Sequence, residues 1–548
     1  MRAPRNVAVD LTPILPGGEN GGAKIFAIEL VKALAQLAPD TQFVLLTQRA
    51  AFDELAALEG PNVRRLLVPG VGVLQREQSI GRLLYGLRAA VFRRAPKKLA
   101  FLMSRIAARL IKRTLIRSPV ADSKADLLFC PFTAPTLYEP GVPTVTTIHD
   151  VQYMVYPQFF AAEDAANRDL AIKNAFRFSA AIATISDHAR ATVLAHNPPD
   201  PERVRTIHHR MARRLENSWS NEDLADVLTK LGLERGQYLI YPANFWRHKN
   251  HEMLLTAFAM ACHQGLPDQI RLVCTGAPGE RRDHLMRLAA RMQLSQKVSF
   301  PGHLAEAEFA ALVSGARGLV FPSLFEGFGL PVVEAMALGV PVACSDVTSL
   351  PEIASGAALM FDPRMPGDVA AAIMRLATDD AAREAWASEG RRRAEQFSDV
   401  GVMAREYWDL FGFALENVGE HRRLSGIHGD GWAGAEITLE LSRGFDATAV
   451  ELDVLAPDWL PHAMVLLAAG SSDGTQTAPQ PLARGERTTL RFDLPGGTGG
   501  IRIRITPSFV PSSFGPSRDH RELSVMIERC DLVLPQGDRL RLFPESHG

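Results

Sequence analysis

Twice in 548 residues the chain runs through the same alternation of short apolar strands and longer amphipathic stretches. That repetition limits the fold more than any other feature. In the first series residues 6–11 read as a strand, Gly17, Gly18, Gly21 and Gly22 as a turn, and residues 25–37 as a helix. Further strands are expected at 42–47, 126–130, 144–148 and 181–186, with helical stretches between them. The series restarts near residue 237, with strands at 238–242, 270–275, 298–300, 318–321 and 340–345. Strand and helix in strict alternation predict parallel sheets covered on both faces. The fold class is therefore α/β: two doubly wound, Rossmann-like domains facing across a cleft, with functional residues at the carboxyl ends of the strands.

Beyond residue 424 the texture changes. Short β-rich runs at 436–441, 449–454, 463–468, 488–494, 501–506 and 523–534 are separated by Gly, Pro, Ser and Asp clusters. They predict an antiparallel β-sandwich after the α/β domains. The expected domains are residues 1–212, 213–424 (with a long helical pattern from 366 to 415 closing it) and 425–548.

Bulk composition narrows the function classes. Hydrophobic residues make up 47% and charged residues 22%, the balance of a globular protein. Sixty Lys and Arg against 61 Asp and Glu leave a net charge of -1, so no overall field points to nucleic acid. The five cysteines, Cys130, Cys262, Cys274, Cys344 and Cys530, are scattered singly, which disfavours a disulfide framework or a zinc site. The expected location is the cytoplasm, with membrane contact at most peripheral, since no run reaches the roughly 18 apolar residues of a span.

The most informative string is Phe321-Pro-Ser-Leu-Phe-Glu-Gly-Phe-Gly-Leu-Pro-Val-Val-Glu. A strand ends, a Gly-x-Gly loop follows, and Pro331 stands where a first helical turn tolerates proline. The amides of Gly327, Phe328, Gly329 and Leu330 at a helix start make an anion site suited to a diphosphate. Glu326 and Glu334, the latter expected in the first helical turn, flank that site. Carboxylates repel a diphosphate, so hydroxyls are their expected partners: a donor sugar for Glu326 and a ribose for Glu334. The bland reading, a tight turn and a carboxylate favouring the helix dipole, remains open for the Gly-x-Gly alone.

Taken whole, Glu326, seven residues, Glu334 within Glu-Gly-Phe-Gly-Leu-Pro resembles the retaining glycosyltransferases of family 4, which have the two-domain GT-B fold. The likeness runs on to Pro341, Leu350-Pro-Glu352 and Phe361-Asp-Pro363. Upstream, Tyr241-Pro-Ala-Asn-Phe-Trp-Arg-His-Lys-Asn-His is similar to that family's clamp on the donor diphosphate. Lys249 maps onto the clamp lysine and Arg247 is the nearest companion arginine, with Asn244 where some relatives carry a basic residue. Gly302 and His303 fall where such enzymes hold the base. In the first domain Thr144-Val-Thr-Thr-Ile-His-Asp resembles the family's His-Asp, giving His149 a place beside the transferred sugar and Asp150 a place on the acceptor side. Gly21 and Gly22 match the glycine pair that lets backbone approach donor and acceptor. The loop before them is longer and more acidic than usual, which leaves the part of Glu19 open.

The resemblance implies a retaining enzyme of the mannosyltransferase type that moves a hexose from a nucleotide-diphosphate sugar, GDP-mannose favoured, to a glycan or lipid-diphosphate-linked acceptor in bacterial surface polysaccharide synthesis. No Asp-x-Asp triplet or ligand-spaced His, Cys and carboxylate cluster occurs, so no metal and no cofactor are expected. The alternatives are a sugar-nucleotide epimerase on the same fold and a silent glycan-binding protein. Between Arg82 and Arg117 stand eleven Lys or Arg and no acid. With Arg105, Arg109, Lys112 and Arg113 on one side of a helix, this segment is either a solvated face or a contact for an anionic membrane. In the last domain Asp430-Gly-Trp432 with Arg518, Asp519 and Arg521 reads equally as a sugar-binding edge or as loop anchors.

Overall fold

The computed structural model describes residues 3–16, 20–68, 119–139, 142–195, 201–416, 423–428, 430–441, 447–471, 477–494, 500–513, 521–535 and 537–543. The chain forms two compact units, the first from residues 3–137 and 144–413, the second from 138–143 and 414–548. Gly17, Gly18, Glu19, the basic segment with Arg105, Arg109, Lys112 and Arg113, and Arg518 and Asp519 lie outside the described residues.

The first unit contains both parallel sheets. One holds β1 (Asn6–Asp10), β2 (Gln42–Thr47), β3 (Val63–Leu67), β4 (Leu127–Cys130), β5 (Thr144–Ile148), β6 (Ala181–Thr184) and β7 (Val204–Thr206), in the order β3-β2-β1-β4-β5-β6-β7. Its central strands are buried along their whole length, because helices cover both faces of a parallel sheet. The other holds β8 (Tyr238–Pro242), β9 (Arg271–Thr275), β10 (Val298–Gly302), β11 (Gly318–Phe321), β12 (Val342–Ser345) and β13 (Leu359–Phe361), in the order β10-β9-β8-β11-β12-β13. The strand order reverses between β1 and β4 in the first sheet and between β8 and β11 in the second. Such reversals open a crevice at the carboxyl ends of the strands.

Four helices position the site: α1 (Gly22–Leu37), α2 (Asp187–Ala195), α3 (Leu330–Ala337) and α4 (Val400–Glu416). Helix α1 starts directly after Gly21, whose φ of 52° suits a residue without a Cβ, and α3 starts after Gly329 at φ 99°. Helix α4 packs back on the first sheet. Its Tyr407 hydroxyl lies 3.0 Å from Thr147 Oγ1, and the Tyr407 ring meets Phe26 and Phe129 at 5.8 and 5.5 Å.

The second unit is an antiparallel sandwich. Strands β14 (Arg423–Ile427), β15 (Ala433–Glu440), β17 (Met464–Ser471), β18 (Gln480–Ala483) and β20 (Gly500–Thr506) form one sheet, in the order β14-β15-β20-β17-β18. The other is β19-β16-β21-β22, from β16 (Ala449–Leu455), β19 (Arg487–Asp493), β21 (Met526–Val533) and β22 (Arg539–Phe543). Alternate residues such as Ile437, Leu452, Leu467 and Ile503 fill the space between the sheets. All five cysteines are free.

Candidate functional site

The loop after β11 is the centre of the site. Glu326 is held there by its backbone: its N–H donates to Thr348 Oγ1 at 3.1 Å, and its carbonyl accepts from Ser349 Oγ at 3.0 Å. The same serine hydroxyl reaches the Phe328 carbonyl at 3.1 Å, so both sides of Gly327 are fixed. Among the described residues no group accepts a hydrogen bond from the amides of Gly327, Phe328 or Gly329. Unpaired amides at a helix start attract an anion.

Two buried ion pairs flank these amides. Lys249, from the turn Arg247–Lys249 after β8, places Nζ 2.6 Å from Glu326 Oε1, the side chains being 13% and 10% exposed. Arg214 places Nε and Nη2 at 3.1 and 2.8 Å from the single oxygen Oε1 of Glu334. Burial raises the Glu334 pKa, with Arg214 working in the opposite direction. In each pair one carboxylate oxygen meets the cation, and the second makes no hydrogen bond among the described residues. A carboxyl oxygen left open in this way can accept from a hydroxyl. Glu334 is the fifth residue of α3 and so begins its second turn rather than sitting in the first, as expected from the sequence.

The first sheet brings its strand ends to this loop. His149, after β5, has Nε2 2.7 Å from the Pro131 carbonyl. A carbonyl only accepts, so Nε2 carries the proton and Nδ1 of the neutral ring bears the lone pair. Crowding by protein lowers the His149 pKa, with the Pro131 bond and Asp150 acting the other way. Asp150 is turned to its own loop, accepting from the Gln152 amide at 3.2 Å, and burial raises its pKa. Gly327 sits against the His149 backbone, and Ser186 Oγ donates to the Gly327 carbonyl at 2.7 Å. A Cβ added to Gly21 would approach Asn244 Nδ2 to 3.8 Å, and one on Gly22 would approach Leu330 to the same distance. Gly21, Gly22, His149, Lys249, Glu326, the Gly327–Leu330 loop and Glu334 are thus brought together.

These contacts do not include the other expected residues. The side chain of Arg247 is exposed and takes part in no hydrogen bond or ion pair among the described residues, while its carbonyl accepts from the Asn250 amide at 3.1 Å. The arginine that enters the site is Arg214, from the short 3-10 turn Ala212–Leu215 that follows the first domain. His303 is exposed, while Gly302 at φ 87° ends β10 and its carbonyl accepts from Gly276 at 3.2 Å. Sequence reasoning also missed His209. Its buried ring lies 4.5 Å from Phe26, 5.1 Å from Phe328 and 6.0 Å from His149, joining the three parts of the site. Its Nδ1 has no hydrogen-bond partner among the described residues, and burial holds its pKa well below the ordinary value. The only sequence signal was the pair His208-His209 beside an apolar residue.

Glu352, part of the family likeness in the sequence but given no role there, also enters the site's framework. Its carboxylate accepts the amides of Asp187 and His188, at the start of α2, at 2.9 and 3.0 Å, and meets His208 Nε2 at 2.6 Å. A side chain from the short helix Leu350–Ala354, which follows β12, therefore caps a helix packed on the first sheet. Asp187, His208 and Glu352 are also the group among the described residues close enough to share an ion, and Glu352 is already employed as the cap.

Residues 229–393 match the family model described as "Glycosyl transferases group 1". The chain is 31% identical over 261 residues to the O-antigen chain mannosyltransferase B of Escherichia coli, an overlap of 46% of this chain and 66% of that protein. It is 27% identical to the serotype-specific mannosyltransferase WbdA of Escherichia coli, over 68% of this chain and 47% of WbdA. The chain thus spans less than two thirds of these curated relatives. It is 25% identical to the D-inositol 3-phosphate glycosyltransferase of Salinispora tropica, over 77% of this chain and 88% of that enzyme. Among solved structures, HepE of Anabaena in complex with UDP and glucose superimposes with a TM-score of 0.54 at 17% identity, over 74% of this chain and 99% of HepE. The sucrose-phosphate synthase of Thermosynechococcus elongatus superimposes with a TM-score of 0.56 at 19% identity, over 74% of this chain and 98% of its own. The two parallel sheets form the GT-B arrangement of these structures, as expected.

Proposed function

We propose that this chain, whose residues 229–393 match the model of the glycosyl transferases group 1, is a retaining glycosyltransferase that moves a hexose from a nucleoside-diphosphate sugar to a glycan acceptor. The observation that carries this reading is the set of unpaired amides of Gly327 to Gly329, flanked by the Lys249–Glu326 pair and pressed against His149. The amides and Lys249 would take the diphosphate and meet the charge that develops as it leaves, a preorganised electrostatic arrangement. The free oxygen of Glu326 would accept from a hydroxyl of the transferred sugar, and that of Glu334 from the ribose. His149 would offer Nδ1 as acceptor to the sugar. Gly302 and His303 would lie along the base.

The likeness to O-antigen and serotype-specific mannosyltransferases supports mannose as the sugar and a bacterial surface polysaccharide as the product, and the donor proposed with it is GDP-mannose. The reading assigns the diphosphate to Lys249 and backbone amides without a metal, so transfer should continue in excess chelator. The same reading has the enzyme work at the cytoplasmic face of a membrane, held there peripherally. No helix among the described residues is long and apolar enough to cross a membrane. The basic segment with Arg105, Arg109, Lys112 and Arg113 would hold an anionic leaflet near a lipid-linked acceptor, each cation contributing about 1 kcal/mol. The test is a screen of nucleotide sugars for protection against thermal unfolding, followed by transfer assays with the donor that protects. GDP-mannose should protect wild type, and Lys249→Ala should lose that protection. No protection by any nucleotide sugar would overturn the reading.

A further inference from the structure

At one end of the sandwich unit three aromatic rings from three segments meet. Trp432 precedes β15, Trp459 lies in the connection between β16 and β17, and Phe509 follows β20. Trp432 is 5.3 Å from Trp459 and 6.1 Å from Phe509, and Trp459 is 6.1 Å from Phe509. Phe509 is buried and paired with Leu523 in an antiparallel bridge, and Trp432 is half-buried and paired with Met526. Trp459 is 62% exposed, more than any other large hydrophobic side chain among the described residues. Two anchored rings thus hold a third out in water.

A polar pair stands beside the anchored rings. Asp430 Oδ1 accepts from the Trp432 amide at 3.4 Å, and Asp430 Oδ2 accepts from Arg521 Nη2 at 2.7 Å. Both side chains remain exposed enough to bond with something else. Ser508 and Glu522, hydrogen-bonded to each other, flank Phe509.

The chemistry of this end selects among ligands. A protein partner needs roughly 1,000 Å² of interface. Among the described residues the other exposed large apolar side chains of this unit, Met464 and Leu466, stand on β17 outside the ring cluster. Nucleic acid would bring its phosphates toward Asp430, Asp458 and Glu522. One indole face, by contrast, matches the apolar C–H face of one pyranose ring, and a carboxylate with a guanidinium supplies both acceptors and donors for its hydroxyls.

We propose that this end of the sandwich binds a hexopyranose unit of a glycan chain, stacked on Trp459 with its hydroxyls bonded by Asp430 and Arg521. The proposal uses nothing from the donor site. Where the transfer reading holds, the bound glycan is of the same class as the enzyme's product, and the sandwich keeps the enzyme on that chain.

The test titrates the full chain, without nucleotide sugar, with α-linked mannohexaose, cellohexaose and dextran, following tryptophan fluorescence and retardation in polysaccharide gels. At least one of the three should bind. Trp459→Ala should lower that affinity about tenfold or more, and Trp459→Phe should lose less. Arg521→Ala should weaken it several-fold. Trp459→Ala should keep the wild-type unfolding temperature and the wild-type rate on a short soluble acceptor. Absence of binding to all three glycans, or equal binding by Trp459→Ala, overturns the proposal. Thermal protection by nucleotide sugars is measured on the same preparations. Glycan binding without donor protection leaves this proposal standing and sinks the transfer reading, and the reverse result does the opposite.

Discussion

Gly327 lies so close to His149 that a Cβ built on it would stand 2.1 Å from the His149 carbonyl oxygen and 3.2 Å from Ile185 Cδ1. No side chain fits at that distance, and the obstacle is backbone rather than a flexible tip. The two halves of the first unit therefore meet through a glycine at the point where the anion loop passes the histidine.

Gly327→Ala should force the halves apart or distort the loop. Overpacking of this kind costs about 1 to 3 kcal/mol. Turnover should fall by more than the unfolding temperature alone explains, because the loop carries the amides offered to the diphosphate. Kinetics beside calorimetry check this, and an alanine variant with wild-type turnover would show that the contact is not kept during catalysis.

Glu352 supplies the second link between the halves, through the amides of Asp187 and His188 and through His208. Loss of a helix cap costs about 0.5 to 2 kcal/mol. Glu352→Ala should therefore lower the unfolding temperature by a few degrees and raise the donor KM, with the larger effect on KM. Glu352→Gln keeps an acceptor oxygen and should retain part of both. A KM unchanged in Glu352→Ala would make the cap purely structural.

Much of this architecture was legible in the sequence, and what was missed has a common cause. The central strands of both parallel sheets were readable because they are largely buried and rich in apolar and β-branched residues, as in Thr144-Val-Thr-Thr-Ile and Tyr238-Leu-Ile-Tyr-Pro. The strands β3, β7, β13, β14, β18 and β22 escaped, and every one is at the edge of its sheet. Edge sequences such as Val63-Arg-Arg-Leu-Leu or Gln480-Pro-Leu-Ala need not be apolar on both faces, and they blend with loops. At the site, Lys249, Glu326 and His149 were found because each stands in a local motif. Arg214, His209 and Glu352 were not assigned a role because their partners lie 120, 60 and 165 positions away.

Arg214 and Glu334 should behave as one unit. Both are largely buried, and removal of one partner from a buried pair leaves an uncompensated charge at a cost of about 3 to 5 kcal/mol. Arg214→Ala should therefore destabilise the protein strongly, and the double variant Arg214→Ala, Glu334→Ala should recover part of that loss. Donor binding should stay weak in all three. A double-mutant cycle by denaturant unfolding measures the coupling, and simple additivity would mean the pair is not formed in solution.

The last prediction concerns acid. Burial lowers the pKa of His149, and that of His209 well below the ordinary value; burial and then Lys249 bring His248 and His251 down to about 3. Each is neutral in the folded chain and takes up a proton more readily when unfolded, near the ordinary 6.5. The unfolded state therefore binds more protons once pH falls below that value, and stability present above about pH 6.5 is lost on the way down. Each such histidine contributes a slope of about 1.4 kcal/mol per pH unit while the folded form resists protonation. Asp10, Asp150 and Glu334 act in the opposite sense, because burial raises their pKa and their protonation favours the folded state in more acidic solution. Between pH 6.5 and 5 the histidines should dominate, so the unfolding temperature should fall with pH over that interval. Both ring nitrogens of His251 are buried without partners among the described residues, so His251→Phe removes a proton acceptor without breaking a hydrogen bond seen there. Its unfolding temperature should fall less steeply than wild type between pH 6.5 and 5; a parallel curve would show that His251 is protonated as easily in the folded chain as outside it.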